Sequence, residues 1–231
     1  MLWRRLTTLT EAVAIVLVNA AVFAHETTLT PLERARFNLH YGVVPSVMVD
    51  AWTHFVSEPR WDLAPFFLPL VTANYLHADV GHIVGNTIFL WVFVNALAPV
   101  VGRALFVLIY LLGGIGAWVV YVHTNPMSEV ATVGASGAIA ALEGAYFALV
   151  IRWRLPQATV WPFPDLRVRP WALALLAAVS FVVDTGTFVR GTAERVAVGA
   201  HVGGFLSGAI LAMVIASVRF EARNEEAPRR H

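Results

Sequence analysis

The chain has 231 residues, of which 58% are hydrophobic and 13% are charged, and its mean hydropathy is +0.68. This composition is too apolar for an ordinary water-soluble domain and predicts a polytopic membrane protein. The formal net charge of +1 argues against nucleic-acid binding, which needs a concentrated basic face. Because the sequence contains no cysteine, disulfides, thiol nucleophiles, iron–sulfur clusters and cysteine-ligated zinc are excluded.

Six apolar windows approach the roughly 20 residues that a transmembrane helix needs. They cover about 9–25, 80–100, 104–122, 134–151, 170–189 and 199–218. The first window follows two arginines but lacks a small-residue cleavage site, so we interpret it as a retained helix and not as a signal peptide. We predict a single all-α membrane domain over residues 1–231, with a six-helix core at about 9–218 and a solvated cytoplasmic tail at about 219–231.

The arginines predict the orientation, because short cytoplasmic segments are enriched in positive charge. Six spans place both termini on one side of the membrane, and that side carries eleven arginines against five on the other. The eleven are Arg4, Arg5, Arg103, Arg152, Arg154, Arg167, Arg169, Arg219, Arg223, Arg229 and Arg230. We therefore expect both termini to be cytoplasmic. We expect the protein to lie in the plasma membrane of the cell.

The first outside loop, at about residues 26–79, is too long for a simple turn. It contains aromatic-rich amphipathic runs such as FNLHYGVVPSVMVDAWTHFV. Runs of this kind favour helices that lie in the membrane interface. A separate soluble subdomain is disfavoured, since roughly fifty residues bury little core on their own.

Polar side chains inside spans are costly in lipid, and those that occur usually face the bundle or a wet cavity. His82 and Asn86 are one helical turn apart and can direct donors toward one point. Ser136 begins the fourth span, where free backbone N–H groups favour a nearby anion. His201 lies among glycines that permit close helix packing, which could bring it within hydrogen-bonding distance of Ser136.

Each of these residues, taken alone, also fits a packing role or an interhelical hydrogen bond. All four, however, lie near the predicted outer ends of their spans and so share one depth. That conjunction favours a functional site.

In these motifs the sequence resembles the rhomboid family of intramembrane serine proteases. The resemblance extends from about Asn38 to Ala216 and includes the six-helix layout, the long first outside loop and the order of the motifs. The motifs are the HxxxN pair beginning at His82, the GASG sequence around Ser136 and the AHxxG sequence at His201. Each is weak alone, but together and in this order they are specific.

The resemblance implies a Ser–His dyad without a third, acidic member. Ser136 would be the nucleophile and His201 the general base and acid, while His82, Asn86 and the Ser136 backbone N–H would form the oxyanion hole. His77, at the cavity mouth, and Gly134, the first glycine of the GASG sequence, would support the site. It also implies single transmembrane helices as substrates, the lipid bilayer as partner, no cofactor or metal, and a fifth span that borders the lateral entrance for the substrate.

Ala140 and Glu143 depart from the family pattern. An aromatic residue commonly stands at the position of Ala140 and packs against the histidine, so we expect Phe205 or another residue to position His201. Glu143 should face the bundle about 20° from Ser136 and roughly 10 Å deeper. We expect it to make a structural hydrogen bond to a neighbouring span and not to take part in catalysis.

Two further positions concern the outer side of the membrane. The first loop has Arg60-Trp61 where many relatives have the opposite order. Asp184, near the outer end of the fifth span, is expected to be a solvated interfacial residue and not a third triad member.

Two alternatives belong to other functional classes. One is a rhomboid-like pseudoprotease that binds transmembrane clients without cutting them. The other is a metal site or transporter built on His77, His82 and His201, although the sequence has neither an HExxH motif nor paired repeats. The natural substrate and the oligomeric state do not follow from the sequence.

Overall fold

The computed structural model describes residues 2–58, 61–163, 165–190 and 197–225. Six long helices correspond to the six predicted windows, and the all-α prediction is confirmed. They are α1 (Leu2–Thr28), α5 (Val80–Val101), α6 (Arg103–Thr124), α7 (Ser136–Arg152), α8 (Pro170–Arg190) and α9 (Val198–Glu225). The last helix continues through the first part of the predicted tail, up to Glu225.

Within the described ranges, four helical stretches are long and apolar enough to cross a membrane by length and composition. They are Thr10–Thr28 of α1, Val80–Val101, Arg103–Thr124 and Val198–Ala216 of α9. The apolar part of α8, Pro170–Gly186, is shorter. Helix α7 has 17 residues, about 25 Å of helix, and most of them are buried between the neighbouring helices.

The segment between α1 and α5, predicted to be the first outside loop, folds into short helices, as the amphipathic pattern predicted. They are α2 (Pro31–Tyr41), α3 (Pro45–Ser57), a 3-10 helix (Trp61–Phe67), α4 (Pro69–Thr72) and a second 3-10 helix (Ala73–Tyr75). A capping box formed by Thr30 and Glu33 begins α2. Large apolar side chains on this segment are more than half exposed, among them Leu39, Trp52 and Val56, which suits an interfacial location. Arg60 lies outside the described residues.

A small hairpin between α7 and α8 was not predicted. Strands β1 (Ala158–Thr159) and β2 (Arg167–Val168) pair antiparallel, with Ala158 opposite Val168. The hairpin is held against α5, where Asn95 accepts a hydrogen bond of 3.1 Å from the backbone N–H of Trp161.

Glycines allow the backbones of α7 and α9 to touch. A Cβ atom on Gly204 would overlap the carbonyl oxygen of Gly137, and one on Gly208 would overlap that of Ala141. One on Gly144 would likewise overlap the carbonyl oxygen of Phe205. The two helices therefore pack at backbone distance over two turns, as the glycine spacing in the sixth span predicted.

We predict that Gly204→Ala destabilises the protein by roughly 1–3 kcal/mol, because the added methyl group must push α9 away from α7. The apparent melting temperature of the purified protein in detergent measures this effect. Gly186→Ala on α8 is the matched control, since a Cβ atom there meets no other atom within 4 Å. Equal melting temperatures for the two variants would contradict the packing argument.

Candidate active site

Ser136 is the first residue of α7, and the segment before it is anchored from two directions. Val43, after α2, exchanges both backbone hydrogen bonds with Thr132, at 2.9 Å each. The N–H of Gly134 donates to the carbonyl oxygen of Ala73 at 2.9 Å. The folded segment between α1 and α5 thus fixes the position of Ser136 relative to the bundle.

Gly134 makes room for His82 beside the serine. Its φ of +139° is a conformation that side-chain-bearing residues rarely adopt, and a Cβ atom there would lie 2.7 Å from Cε1 and Nε2 of the His82 ring. Any other residue at position 134 would both strain the backbone and displace His82. The predicted supporting role of Gly134 therefore has a steric basis.

The side chains of Ser136 and His201 meet across the α7–α9 contact. His201 Nε2 lies 2.8 Å from Ser136 Oγ, within hydrogen-bonding distance. Their predicted approach is found in the structure, and it depends on the close packing of the two helix backbones. A neutral imidazole at this distance can accept the hydroxyl proton of the serine.

The expectation for Asp184 is wrong. Its carboxylate is not simply solvated, because Oδ2 lies 3.2 Å from Nδ1 of His201. The Asp184 side chain is 25% exposed and that of His201 is 17% exposed. Serine, histidine and aspartate from α7, α9 and α8 thus form a continuous chain of contacts. The sequence held a clue, since Asp184 and His201 are at the predicted outer ends of consecutive spans.

His82 and Asn86 lie on α5, which begins at an Asp79 cap that accepts a 2.8 Å hydrogen bond from the His82 N–H. His82 Nδ1 accepts a 3.4 Å bond from the Ala78 N–H, so in the neutral ring the proton is on Nε2, the atom beside Gly134. Asn86 is 8% exposed, and within the described part of the chain its Nδ2 has no hydrogen-bond partner. Both side chains can therefore offer a donor.

One cavity of about 1370 Å³ contains all of these groups. Its lining includes His82, Asn86, Ser136, Glu143, Asp184 and His201. Drug-sized ligand pockets typically span about 300–1,000 Å³, so this cavity can accept a larger, extended ligand. Among the residues that the structure describes, no three His, Asp or Glu side chains are arranged to hold a metal ion.

His77 lies behind His82 and not at the cavity mouth, which corrects the prediction. It is fully buried, and its ring meets that of His82 edge to face, with centroids 5.2 Å apart. Its backbone is held by the Glu26 carboxylate, which accepts from the His77 N–H at 3.2 Å, and by Arg34, which donates to the His77 carbonyl oxygen at 2.9 Å. Sequence reasoning missed these two charged residues, whose partners are more than 40 positions away.

The structure also accounts for Ala140 and Glu143, the two residues that depart from the family pattern. Glu143 is 5% exposed and makes the expected hydrogen bond to a neighbouring span, through Ser180 of α8. Ala140 lines the cavity and offers only a methyl group near the histidine. Phe205 stacks on Phe181 of α8, with ring centroids 4.5 Å apart, so it contributes to the α8–α9 contact.

Burial, and secondarily the neighbouring His82, lowers the pKa of His77 to about 4. His77 therefore takes up a proton near pH 6.5 in the unfolded chain but only near pH 4 in the folded protein. We predict that stability falls as the pH is lowered through this window, by about 3 kcal/mol at most from this residue.

His77→Gln should flatten that dependence when the apparent melting temperature is measured from pH 7 to pH 4. His40→Gln, at an exposed position on α2, should keep the wild-type slope. Parallel slopes for all three proteins would show that His77 does not titrate in this way.

Comparison with known proteins agrees with the family resemblance of the sequence. The Rhomboid domain model matches residues 66–218. The sequence is 38% identical over 86 residues to the "Putative rhomboid protease YdcA" of Bacillus subtilis (strain 168), covering 36% of this chain and 41% of that protein. It is 33% identical over 98 residues to the "Presenilin-associated rhomboid-like protein A, mitochondrial" of Danio rerio, covering 42% of this chain and 25% of that protein.

These two alignments span less than half the length of either relative. The domain model, by contrast, covers more than half of the chain and includes the whole cavity region from α5 to α9. The chain therefore belongs to the rhomboid family and is a multi-pass integral membrane protein.

Proposed function

We propose that this protein is an intramembrane serine protease that hydrolyses peptide bonds in or next to transmembrane helices of other membrane proteins. The observation that carries the proposal is the 2.8 Å contact between Ser136 Oγ and His201 Nε2 inside a large cavity. Membership of the rhomboid family supports an activity of this class. The partners would be single-span membrane proteins within the bilayer.

In the acylation step, Ser136 Oγ attacks the scissile carbonyl carbon while its proton moves to His201 Nε2. The new C–O bond forms as the π electrons of the carbonyl move to its oxygen. The intermediate then collapses, the C–N bond breaks, and His201 returns the proton to the leaving amine. A water molecule repeats the sequence on the acyl-enzyme and regenerates Ser136.

The oxyanion would be stabilised by His82, Asn86 and the backbone N–H of Ser136. The Ser136 N–H lies in the first turn of α7, where backbone donors have no partner within the helix. Asn86 keeps a buried amide donor without a partner among the described residues, at a typical cost of about 1–3 kcal/mol. A donor held ready in this way can stabilise charge that develops only in the transition state.

We further propose that both termini are cytoplasmic and that the cavity opens toward the outside, on the basis of the eleven arginines on one side against five on the other. In this orientation α2 and α3 lie at the outer interface of the plasma membrane. Water can then reach Ser136 from the outside while substrate helices approach through the lipid. A substrate helix must unwind locally before its carbonyl can reach the serine.

The test is reconstitution in liposomes with a panel of single-span substrates, with the cleavage products mapped by mass spectrometry. We predict cleavage by the wild type and none by Ser136→Ala, which removes the attacking oxygen. Ser57→Ala, on the exposed surface of α3, is the matched control and should retain activity. Substrate binding without cleavage by the wild type, and no labelling by a fluorophosphonate probe, would identify a pseudoprotease instead.

For the oxyanion hole we predict that Asn86→Ala lowers kcat by about 10²–10³ and changes KM little, because the lost donor acts mainly in the transition state. Val84→Ala, at a 49% exposed position on the same helix, provides the control. Steady-state kinetics with one cleaved substrate measures both constants. A change confined to KM would assign Asn86 to substrate binding.

A further inference from the structure

We infer that Asp184 is a positioning residue that orients His201 and holds its neutral ring in the tautomer able to accept the Ser136 proton. The inference rests on the proposed function, since it gives Asp184 a role in the same reaction. It converts the dyad implied by the family resemblance into a Ser–His–Asp arrangement in this chain.

The geometry places the two partners of His201 on its two different ring nitrogens. Nε2 lies 2.8 Å from Ser136 Oγ, and Nδ1 lies 3.2 Å from Asp184 Oδ2. The second distance is at the long end of the range for an N–H···O hydrogen bond. Each side chain belongs to a different helix, so the arrangement is set by the packing of α7, α8 and α9.

The tautomer follows from these two contacts. A neutral imidazole carries one proton, and Nε2 can accept from the serine only when that proton is on Nδ1. A carboxylate oxygen accepts a hydrogen bond, so Asp184 favours the form with Nδ1–H. The opposite tautomer would direct a lone pair at the carboxylate and an N–H at the serine.

The position of Asp184 is supported by the rest of the α8–α9 interface. The rings of Phe181 and Phe205 stack with centroids 4.5 Å apart and an interplanar angle of 30°. Phe181 is one turn from Asp184 on α8, and Phe205 is one turn from His201 on α9. The ring stack and the Asp184–His201 contact are therefore successive contacts of one antiparallel helix pair.

His201 has little other support for its ring. Within the described ranges no aromatic ring packs against it, and Ala140, which lines the same cavity, presents only a methyl group. His201 is also only partly buried. Its two polar contacts, with Ser136 on Nε2 and with Asp184 on Nδ1, are therefore the contacts that fix the orientation of the ring.

During the reaction Asp184 would exchange no proton with His201. When Ser136 transfers its proton, His201 becomes an imidazolium with a proton on each nitrogen, and the Nδ1–H remains directed at Asp184. The carboxylate then stabilises the positive charge until the proton passes to the leaving amine. No bond to Asp184 forms or breaks.

The test measures the rate at which a fluorophosphonate probe labels Ser136, together with kcat and KM for a cleaved substrate. Asp184→Asn should lower the labelling rate and kcat at least tenfold, up to about 10⁴-fold as for an equivalent change in soluble serine proteases. KM should stay within about threefold. Asp184→Glu retains the carboxylate and should recover part of the loss.

Val182→Ala, at a 67% exposed position two residues away on α8, is the control for a general effect on the helix and should label at the wild-type rate. Asp184→Ala provides a second test that does not depend on how asparagine packs. Added formate should raise its labelling rate several-fold by replacing the missing carboxylate, and should leave the wild type unchanged. A merely structural Asp184 would not respond to formate.

Labelling of Asp184→Asn at the wild-type rate, or no response of Asp184→Ala to formate, would overturn the inference while the proposed protease function stands. A wild-type protein that neither labels nor cleaves any substrate would instead overturn the proposed function itself. The two failures are therefore distinguishable in one set of measurements.

Discussion

The close contact between the backbones of α7 and α9 is the constraint on which the site depends. Glycines remove the side chains that would otherwise separate the helices, and Gly204 lies against the carbonyl oxygen of Gly137, the residue after Ser136. Serine and histidine side chains are short, so they can meet at 2.8 Å only if their helices lie this close. The α7–α9 packing therefore supplies both membrane-protein stability, which cannot come from the hydrophobic effect between helices in lipid, and the geometry of the reacting groups.

The second constraint is that polar groups at membrane depth need partners. Glu143 finds one in Ser180, and His201 finds two. Several buried polar atoms in the described part of the chain have no partner, and among them the amide donor of Asn86 belongs to a residue that lines the cavity. Buried donors without a partner are rare in native proteins and call for an explanation. A carbonyl oxygen that becomes negatively charged during the reaction would provide the missing acceptor.

Hydropathy was sufficient to predict the six long helices, because a helix that crosses lipid needs a continuous apolar stretch. Helix α5, for example, runs from Val80 to Val101, and the predicted window was about 80–100. The glycine spacing indicated that close packing could bring His201 to Ser136, and the family resemblance implied that the two residues form a dyad. Asp184 was misjudged because its partner depends on the rotation of α8 about its own axis, which hydropathy does not report. The hairpin against α5 and the hydrogen bonds of Glu26 and Arg34 to the His77 backbone depend on long-range contacts that no local pattern contains.

Helix α8 carries Ser180 and Asp184 one turn apart, and these two residues contact α7 and α9 respectively. Moving α8 outward would break both contacts. Under the inference above, the position of α8 and the orientation of His201 are then linked equilibria. A peptide that binds more tightly when α8 is in place increases the fraction of molecules with an oriented histidine. Part of the binding energy of such a peptide would therefore raise its rate of cleavage and not its affinity. Under this inference, Asp184 contributes to the choice of substrate.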